Sequence, residues 1–293
     1  MAIPIQSPMP NLQFLKLGGS LITDKDQPRT ARLEVLDRLA GEIAASFQQQ
    51  PDLRLVLGHG AGSFGHVPAR QYGTRQGVST SAQWQGFVEV WREAVALNRL
   101  VMDALQRAEL PAIALPPSAS VLAEDGQVAR WDLASLSAAL DHGLLPVVHG
   151  DVVFDIVRGG TILSTEDLFA HLGRALHPQR LLLAGREPGV WADYPVCTRL
   201  VEQISPSSLP QIAASLYGSA STDVTGGMAS KVLEMLALVG DVPGLESLIF
   251  SGETPGLVEQ ALLGAHPGTR IVGNNAEKLA ARLEPGPGRS SKC

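Results

Sequence analysis

Two short stretches of the chain combine glycine with a basic side chain, which suits them to binding anions. In the first, an apolar run at 12–17 contains Lys16 near its end and is followed by Gly18, Gly19 and Ser20. A charge at the end of an apolar strand is costly unless an anion or a carboxylate compensates it. Glycine also lets backbone N–H groups approach a ligand and form a concave anion site. The pattern therefore predicts an anion-binding site beside Lys16.

The second stretch follows an apolar run at 53–57 and reads Gly58-His-Gly-Ala-Gly-Ser-Phe-Gly-His66. It holds four glycines and two histidines within nine residues. We predict a phosphate-binding loop, in which His66 donates a charge-assisted hydrogen bond to the anion. The alternative is that His66 only satisfies carbonyls of the loop. The spacing does not predict a loop that opens directly into a helix, which disfavours a dinucleotide-binding turn.

Lysine is rare in this chain, with five lysines against eighteen arginines. Lys25 follows the first glycine stretch, and Lys231 falls in the first turn of a helix predicted from Met228. A cation is unfavourable at the N-terminus of a helix unless a polyanion binds there as well. Lysine supplies a compact point charge, so these positions indicate a phosphate site. Chance placement and, for Lys25, a solvated loop position are the alternatives.

Alternating short apolar runs and amphipathic segments predict an α/β fold. Predicted strands cover 12–17, 53–57, 112–115, 145–149, 181–183, 247–250 and 269–272. Predicted helices cover 31–48, 84–108, 133–142, 164–175, 228–239 and 255–263. Two hairpins are predicted to pair 120–122 with 127–131 and 152–155 with 157–162. We expect a mostly parallel sheet covered on both faces, with the ligand site beyond the carboxyl ends of its strands.

Composition excludes several classes of function. A net charge of −6 offers no basic surface for nucleic acid. The sequence contains no run of about 18 apolar residues, which a membrane-spanning helix would need. The first residues lack a signal-peptide pattern, and Cys197 and Cys293 are far apart in sequence. A cytoplasmic enzyme without disulfides is expected. No zinc-ligand spacing, Ser–His–Asp set or Walker motif stands out. The glycine-bearing strand ends, with three lysines and a histidine, indicate phosphoryl transfer, which depends on positioning and charge neutralisation.

Four segments, in order along the chain, resemble the amino acid kinase superfamily and more specifically the isopentenyl phosphate kinases. They are Lys16-Leu-Gly-Gly-Ser20, His59-Gly-Ala-Gly-Ser-Phe-Gly-His66, His149-Gly-Asp-Val-Val-Phe154 and Asp223-Val-Thr-Gly-Gly-Met-Ala-Ser-Lys231. The resemblance implies one open αβα sandwich over 1–293, with an acceptor lobe at about 1–177, a nucleotide lobe at about 178–284 and a tail at 285–293. It also implies a homodimer that transfers the γ-phosphate of ATP to isopentenyl phosphate, with Mg²⁺ held mainly by the phosphates.

The same resemblance implies a role for individual residues. Lys16, Lys25 and His66 would be catalytic. ATP would be bound by Lys16, Gly18, Gly19, Ser20, Gly62, Arg186, Gly227 and Lys231. The acceptor phosphate would be bound by Ala61, Gly62, His66 and Thr165. Glu166 or Asp167 would orient the lysines. The five-carbon tail would lie against Phe87, Val88, Trp91 and Val95, although an apolar helix face is core by default.

The chain departs from the family pattern at three places. Ala61 stands where a glycine is usual, which would cost about 1 kcal/mol if its φ is positive. Thr165-Glu166 replaces a common Gly-Asp pair, and the segment from Arg186 replaces an Asp-x-Asp-Gly pattern near the nucleotide. Two rival functions stay open: a fosfomycin-type kinase that acts on another small phosphate or phosphonate, and a catalytically silent nucleotide-binding protein.

Overall fold

The computed structural model describes residues 9–218 and 227–273, without the side chains at 214, 215, 217 and 218. Its strands are β1 (Leu12–Leu17), β2 (Arg54–His59), β3 (Ala112–Ala114), β4 (Val121–Glu124), β5 (Gln127–Trp131), β6 (Leu145–His149), β7 (Asp151–Asp155), β8 (Gly159–Leu163), β9 (Arg180–Gly185), β10 (Gln203–Ile204), β11 (Glu246–Ser251) and β12 (Gly268–Val272). Its helices are α1 (Gly19–Ile22), α2 (Leu33–Gln49), α3 (Gly62–Tyr72), α4 (Ser81–Arg107), α5 (Ala134–Asp141), α6 (Thr165–Leu176), α7 (Leu209–Gly218), α8 (Gly227–Asp241) and α9 (Leu257–Leu262), with a 3₁₀ turn at Pro117–Ala119. None of these helices is long and apolar enough to cross a bilayer.

One large sheet runs in the order β10-β12-β11-β9-β1-β2-β6-β3. The strands from β11 to β3 are all parallel, and β12 pairs antiparallel to β11. The predicted mostly parallel α/β sandwich is confirmed. The proposed boundary between the two lobes falls between α6 and β9. Strands from both sides of this boundary lie in the same sheet, and the division into lobes stays a prediction.

Both faces of the sheet are covered, because successive side chains of each strand point to opposite faces. On β1, Phe14 packs with the face covered by α5, α6 and α8, whereas Leu15 packs with the face covered by α2, α4 and α9. Both side chains are fully buried. Strands buried on both faces read as continuous apolar runs, which is why Lys16 is conspicuous in this one.

The two predicted hairpins are present and form a second sheet in the order β5-β4-β7-β8, joined by a parallel pairing of β4 with β7. This sheet packs on α4 through aromatic contacts. Phe87 lies 5.2 Å from Trp84 and 5.5 Å from Phe154, measured between ring centroids. The small sheet therefore covers one side of α4.

The glycine loop after β2 does open directly into a helix, so the opposite expectation is wrong. Gly62 has a φ of +52° and starts α3 at once, a turn that the sequence pattern does not reveal. Ala61 has a φ of −75°, so the strain considered for alanine at this position does not arise. The short α1, α3, α7 and β10 were not predicted, and part of the predicted segment before α8 lies outside the described residues.

Two glycine turns, at the ends of β1 and β2, touch backbone to backbone. A Cβ built on Gly19 would lie 2.3 Å from the Gly62 nitrogen, and one built on Gly62 would lie 2.1 Å from the Thr23 Oγ1. That hydroxyl accepts a hydrogen bond of 2.9 Å from the Ser63 N–H and donates one of 2.7 Å to the Gly19 carbonyl. The turns therefore fit together only without side chains.

Replacing Gly62 by alanine tests this contact. We expect Gly62→Ala to lower the free energy of unfolding by about 2 to 4 kcal/mol, because it adds a left-handed backbone penalty and a steric overlap. The matched control is Gly41→Ala in α2, where nothing lies within 4 Å of the added Cβ. That change should stabilise by about 0.5 to 1 kcal/mol. Urea unfolding measures both, and equal stability of the two variants would contradict the packing described.

Candidate active site

A cleft of about 940 Å³ opens at the carboxyl ends of the central strands. Most of the residues predicted for the site line it, although they come from five separate regions of the chain. They are Lys16, Gly18, Gly19, Ser20, Lys25, Ala61, Gly62, His66, Thr165, Glu166, Arg186, Gly227 and Lys231. The position agrees with the rule that open parallel sheets bind ligands beyond their strand ends.

An ion pair lies at the centre of the cleft. Lys16 at the end of β1 contacts Glu166 in the first turn of α6 through its Nζ, and each side chain is only 10% exposed. Burial by itself would raise the pKa of Glu166, but the nearby Lys16 and Lys231 hold that pKa below its usual value. Two lysines therefore act on the Glu166 carboxylate, and Glu234 adds a second carboxylate to the same group.

Asp167 has a different role from the one expected. Its carboxylate accepts hydrogen bonds from the Ser164 N–H and hydroxyl, both at 2.7 Å, and completes the capping box of α6. Its other contact is an ion pair with Arg75 at 3.1 Å. Of the two acidic residues, Glu166 contacts a lysine, whereas Asp167 fixes the start of the helix that carries Glu166.

His66 lines the cleft from the exposed side of α3. Apolar side chains from α3, α4 and β8 line the wall near it: Ala69, Val90, Ala94 and Ile162. The structure does not bring Phe87 and Trp91 to this wall. Phe87 is buried behind it in a cluster with Val90, and Trp91 is 41% exposed outside the cleft. Helix α4 therefore lines the cleft, but through Val90 and Ala94 rather than through the predicted face of Phe87 and Trp91.

Beneath the glycine loop, the buried rings of His59 and His149 stack 5.2 Å apart. Burial, with a smaller effect from His149, lowers the pKa of His59 to about 4, so this ring is neutral near pH 7. The His59 carbonyl accepts a hydrogen bond of 2.6 Å from the Thr165 hydroxyl. These histidines support the loop, and the Thr165 hydroxyl is engaged in the same support.

Four acidic residues that line the cleft were not predicted as site residues: Asp151, Glu187, Glu234 and Glu253. Asp151 accepts a hydrogen bond of 3.1 Å from the Ser118 N–H, and burial raises its pKa to about 6. Glu234 lies one turn after Lys231 on α8, where burial and the nearby Glu166 raise its pKa. Glu253 follows β11 at the same strand-end edge. That edge position was the available signal for Glu253, since ligands collect there in parallel sheets.

The loop after β9, where the sequence departs from the family pattern, also lines the cleft. Arg186 lines the cleft and pairs with Glu253, with 3.2 Å between Nε and Oε1. The Trp191 indole donates a hydrogen bond of 3.0 Å to the Glu187 carboxylate, and both residues line the cleft together with Tyr194. Within residues 9–218 and 227–273, no three acidic, histidine or cysteine side chains group closely enough to hold a metal ion by themselves.

Comparison with known proteins places this geometry in a family. The model of the amino acid kinase family matches residues 11–250. The isopentenyl phosphate kinase of Methanothermobacter thermautotrophicus is 36% identical over 273 residues, which cover 89% of this chain and 99% of that protein. The isopentenyl phosphate kinase of Methanocaldococcus jannaschii is 32% identical over 269 residues, with 89% and 98% covered.

Solved structures agree with the sequence relatives. An X-ray structure of an isopentenyl phosphate kinase superposes with a TM-score of 0.74 at 32% identity, covering 89% of this chain and all of that one. A substrate complex of an isopentenyl phosphate kinase shares the fold with a TM-score of 0.69 at 24% identity, with 88% and 99% covered. The chain therefore belongs to the amino acid kinase family and, within it, to the isopentenyl phosphate kinases.

Proposed function

We propose that this chain transfers the γ-phosphoryl group of ATP to isopentenyl phosphate and forms isopentenyl diphosphate. The observation that carries the proposal is a cleft that holds the Lys16–Glu166 pair together with His66, an apolar wall and Arg186. His66 and an apolar wall mark the acceptor end, which suits a phosphate with a hydrocarbon tail. A homodimer, implied by the resemblance, and a cytoplasmic location, expected from the cysteine content, stay predictions.

The reaction needs little covalent help from the protein. An acceptor phosphate is already a nucleophile, so catalysis consists of aligning two phosphates and stabilising the charge that moves between them. Lys16, Lys25 and Lys231 line the cleft and would supply that stabilisation. The N-terminus of α3 begins at the glycine turn and adds the positive end of a helix dipole for the acceptor phosphate.

The acidic residues of the cleft fit a Mg²⁺ ion that is carried mainly by the phosphates. Glu166 is already compensated by Lys16, and Glu234, near Lys231, supplies one carboxylate that a hydrated ion could reach. Mg²⁺, when bound with ATP, neutralises phosphate oxygens. The contribution of the chain is to position the lysines around those oxygens.

The apolar wall distinguishes the proposal from its rivals. A small polar phosphonate would gain little from Ala69, Val90, Ala94 and Ile162, whereas burial of a five-carbon tail contributes about 25 cal/mol for each Å² of apolar surface removed from water. A silent nucleotide-binding protein would have no need for the buried charge of Lys16, which is expensive to keep.

The direct test is turnover by purified protein with ATP and Mg²⁺. We expect isopentenyl diphosphate and ADP in equal amounts from isopentenyl phosphate, and a kcat/KM at least about 100-fold lower with fosfomycin, because that acceptor cannot bury a tail. Phosphorus NMR identifies the product. Turnover of fosfomycin alone would support the phosphonate kinase, and nucleotide binding without any turnover would support the silent protein.

Replacing His66 tests its assigned contact with the acceptor. We expect His66→Ala to raise the KM for isopentenyl phosphate by about 10- to 100-fold, the value of one hydrogen bond to a charged group. The affinity for ATP, measured by calorimetry, should change less than twofold. His142→Ala on the exposed end of α5 is the matched control. An unchanged KM in His66→Ala would remove this histidine from the acceptor site.

Lys16 is tested with a paired substitution, because its loss alone leaves Glu166 buried without its partner. We expect Lys16→Met to lose both stability and turnover, with kcat reduced by about 100-fold or more. The double variant Lys16→Met/Glu166→Gln removes the uncompensated charge, so the melting temperature should recover while kcat does not. Recovery of turnover in the double variant would contradict a catalytic role for the Lys16 charge.

A further inference from the structure

One carboxylate at the rim of the cleft joins two arginines that come from distant parts of the chain. Glu253 Oε1 accepts a hydrogen bond of 2.6 Å from Arg32 Nη1, and its Oε2 accepts one of 3.0 Å from Arg32 Nη2. The same Oε1 lies 3.2 Å from Arg186 Nε. The hydrogen bonds from Arg32 outweigh the effect of burial and hold the pKa of Glu253 below its usual value. The carboxylate is therefore ionised while it holds both arginines.

The backbone around Glu253 fixes where this carboxylate lies. Its N–H donates a hydrogen bond of 3.1 Å to the Ser251 hydroxyl, which donates one of 3.1 Å to the Arg186 carbonyl. The neighbouring Gly252 N–H donates a hydrogen bond of 2.8 Å to the Gly185 carbonyl. These bonds tie the loops after β9 and β11 to each other at the nucleotide end of the cleft.

Arg32 lies at the base of the loop that carries Lys25. This loop is closed by a β-bridge between Thr23 and Ala31. The backbone N–H of Arg32 donates a hydrogen bond of 2.9 Å to the Ile22 carbonyl, and the Arg32 guanidinium donates one of 2.9 Å to the Leu21 carbonyl. The fork of Arg32 is thus held on one side by α1 and on the other by Glu253. A bidentate pair restricts orientation more than a single contact does.

We propose that Glu253 is a positioning residue. It fixes the Lys25 loop through Arg32 and holds the cleft-lining Arg186 directly. One carboxylate thereby aligns the point of phosphoryl transfer with the nucleotide. This inference rests on the proposed kinase function, because it assigns Lys25 to the transferring phosphoryl group and Arg186 to ATP. It predicts two separable effects of losing the carboxylate. Loss of the contact with Arg32, the Arg32 arm, lowers kcat. Loss of the contact with Arg186, the Arg186 arm, raises the KM for ATP.

The main variant is Glu253→Gln, which keeps the shape of the side chain and removes its charge. We expect kcat to fall by about tenfold, or about 1.4 kcal/mol, and the KM for ATP to rise by about three- to fivefold, or about 0.6 to 1 kcal/mol. The KM for isopentenyl phosphate should change less than twofold. The matched control is Glu259→Gln, whose carboxylate accepts a hydrogen bond from Gln49 on α2. A kcat and an ATP KM both within twofold of the unmodified protein would overturn the proposal.

Double-mutant cycles separate positioning from a general loss of stability. In the Arg186→Gln background, Glu253→Gln should no longer change the KM for ATP but should still lower kcat. In the Arg32→Gln background, it should no longer lower kcat. Additive effects in both cycles would show that Glu253 does not act through these arginines. Where Glu253→Gln fails to fold, Glu253→Asp keeps the charge on a shorter side chain and should give smaller changes in the same two parameters.

Hydrogen exchange tests the Arg32 arm without any turnover. Amides 24–30 should exchange several-fold faster in Glu253→Gln than in Glu259→Gln, because the base of the loop loses one of its anchors. If the unmodified protein does not phosphorylate isopentenyl phosphate, the proposed function fails, whereas this exchange difference still decides whether Glu253 positions the loop. Unchanged exchange would overturn that arm of the proposal even in an active enzyme.

Discussion

The buried charge of Lys16 is the constraint on which the rest of the site depends. Moving an ammonium group out of water costs several kcal/mol unless it is compensated. Lys16 lies at the end of a strand that is buried on both faces, so compensation must come from beyond the strand end. Glu166 supplies it from the first turn of α6. Lys231 also lowers the pKa of this carboxylate, so both lysines act on Glu166, while Glu234 adds a second carboxylate nearby.

A second constraint is the contact between the turns after β1 and β2. Gly19 and Gly62 meet backbone to backbone, so no side chain separates the two loops. Each loop follows a parallel strand, and both line the same cleft. This arrangement brings the helix that carries His66 close to Lys16 without a flexible connection. The distance over which a phosphoryl group would move is therefore set by the central sheet itself rather than by a mobile segment.

Much of this fold is readable from the sequence, because strands buried on both faces are continuous apolar runs and the site collects at their ends. The start of α3 was not readable, since the positive φ of Gly62 depends on its contact with Thr23. The face that α4 presents to the cleft was also missed: packing against the small sheet rotates Val90 inward and leaves Trp91 outside. The capping box of Ser164 and Asp167 carried a local signal that distinguished Asp167 from Glu166.

The unequal use of arginine and lysine follows from the geometry of the two side chains. Arg32, Arg38 and Arg180 all hold carboxylates within the described parts of the chain, which suits a planar fork that makes two directed bonds. A guanidinium group held by two such bonds cannot easily follow a phosphoryl group that moves during the reaction. A lysine ammonium group is a point charge on a rotatable stem and can follow a phosphoryl group from donor to acceptor. Among the described residues, Arg32, Arg38 and Arg180 therefore hold the framework together, whereas Lys16, Lys25 and Lys231 line the cleft in which we propose that the charge moves.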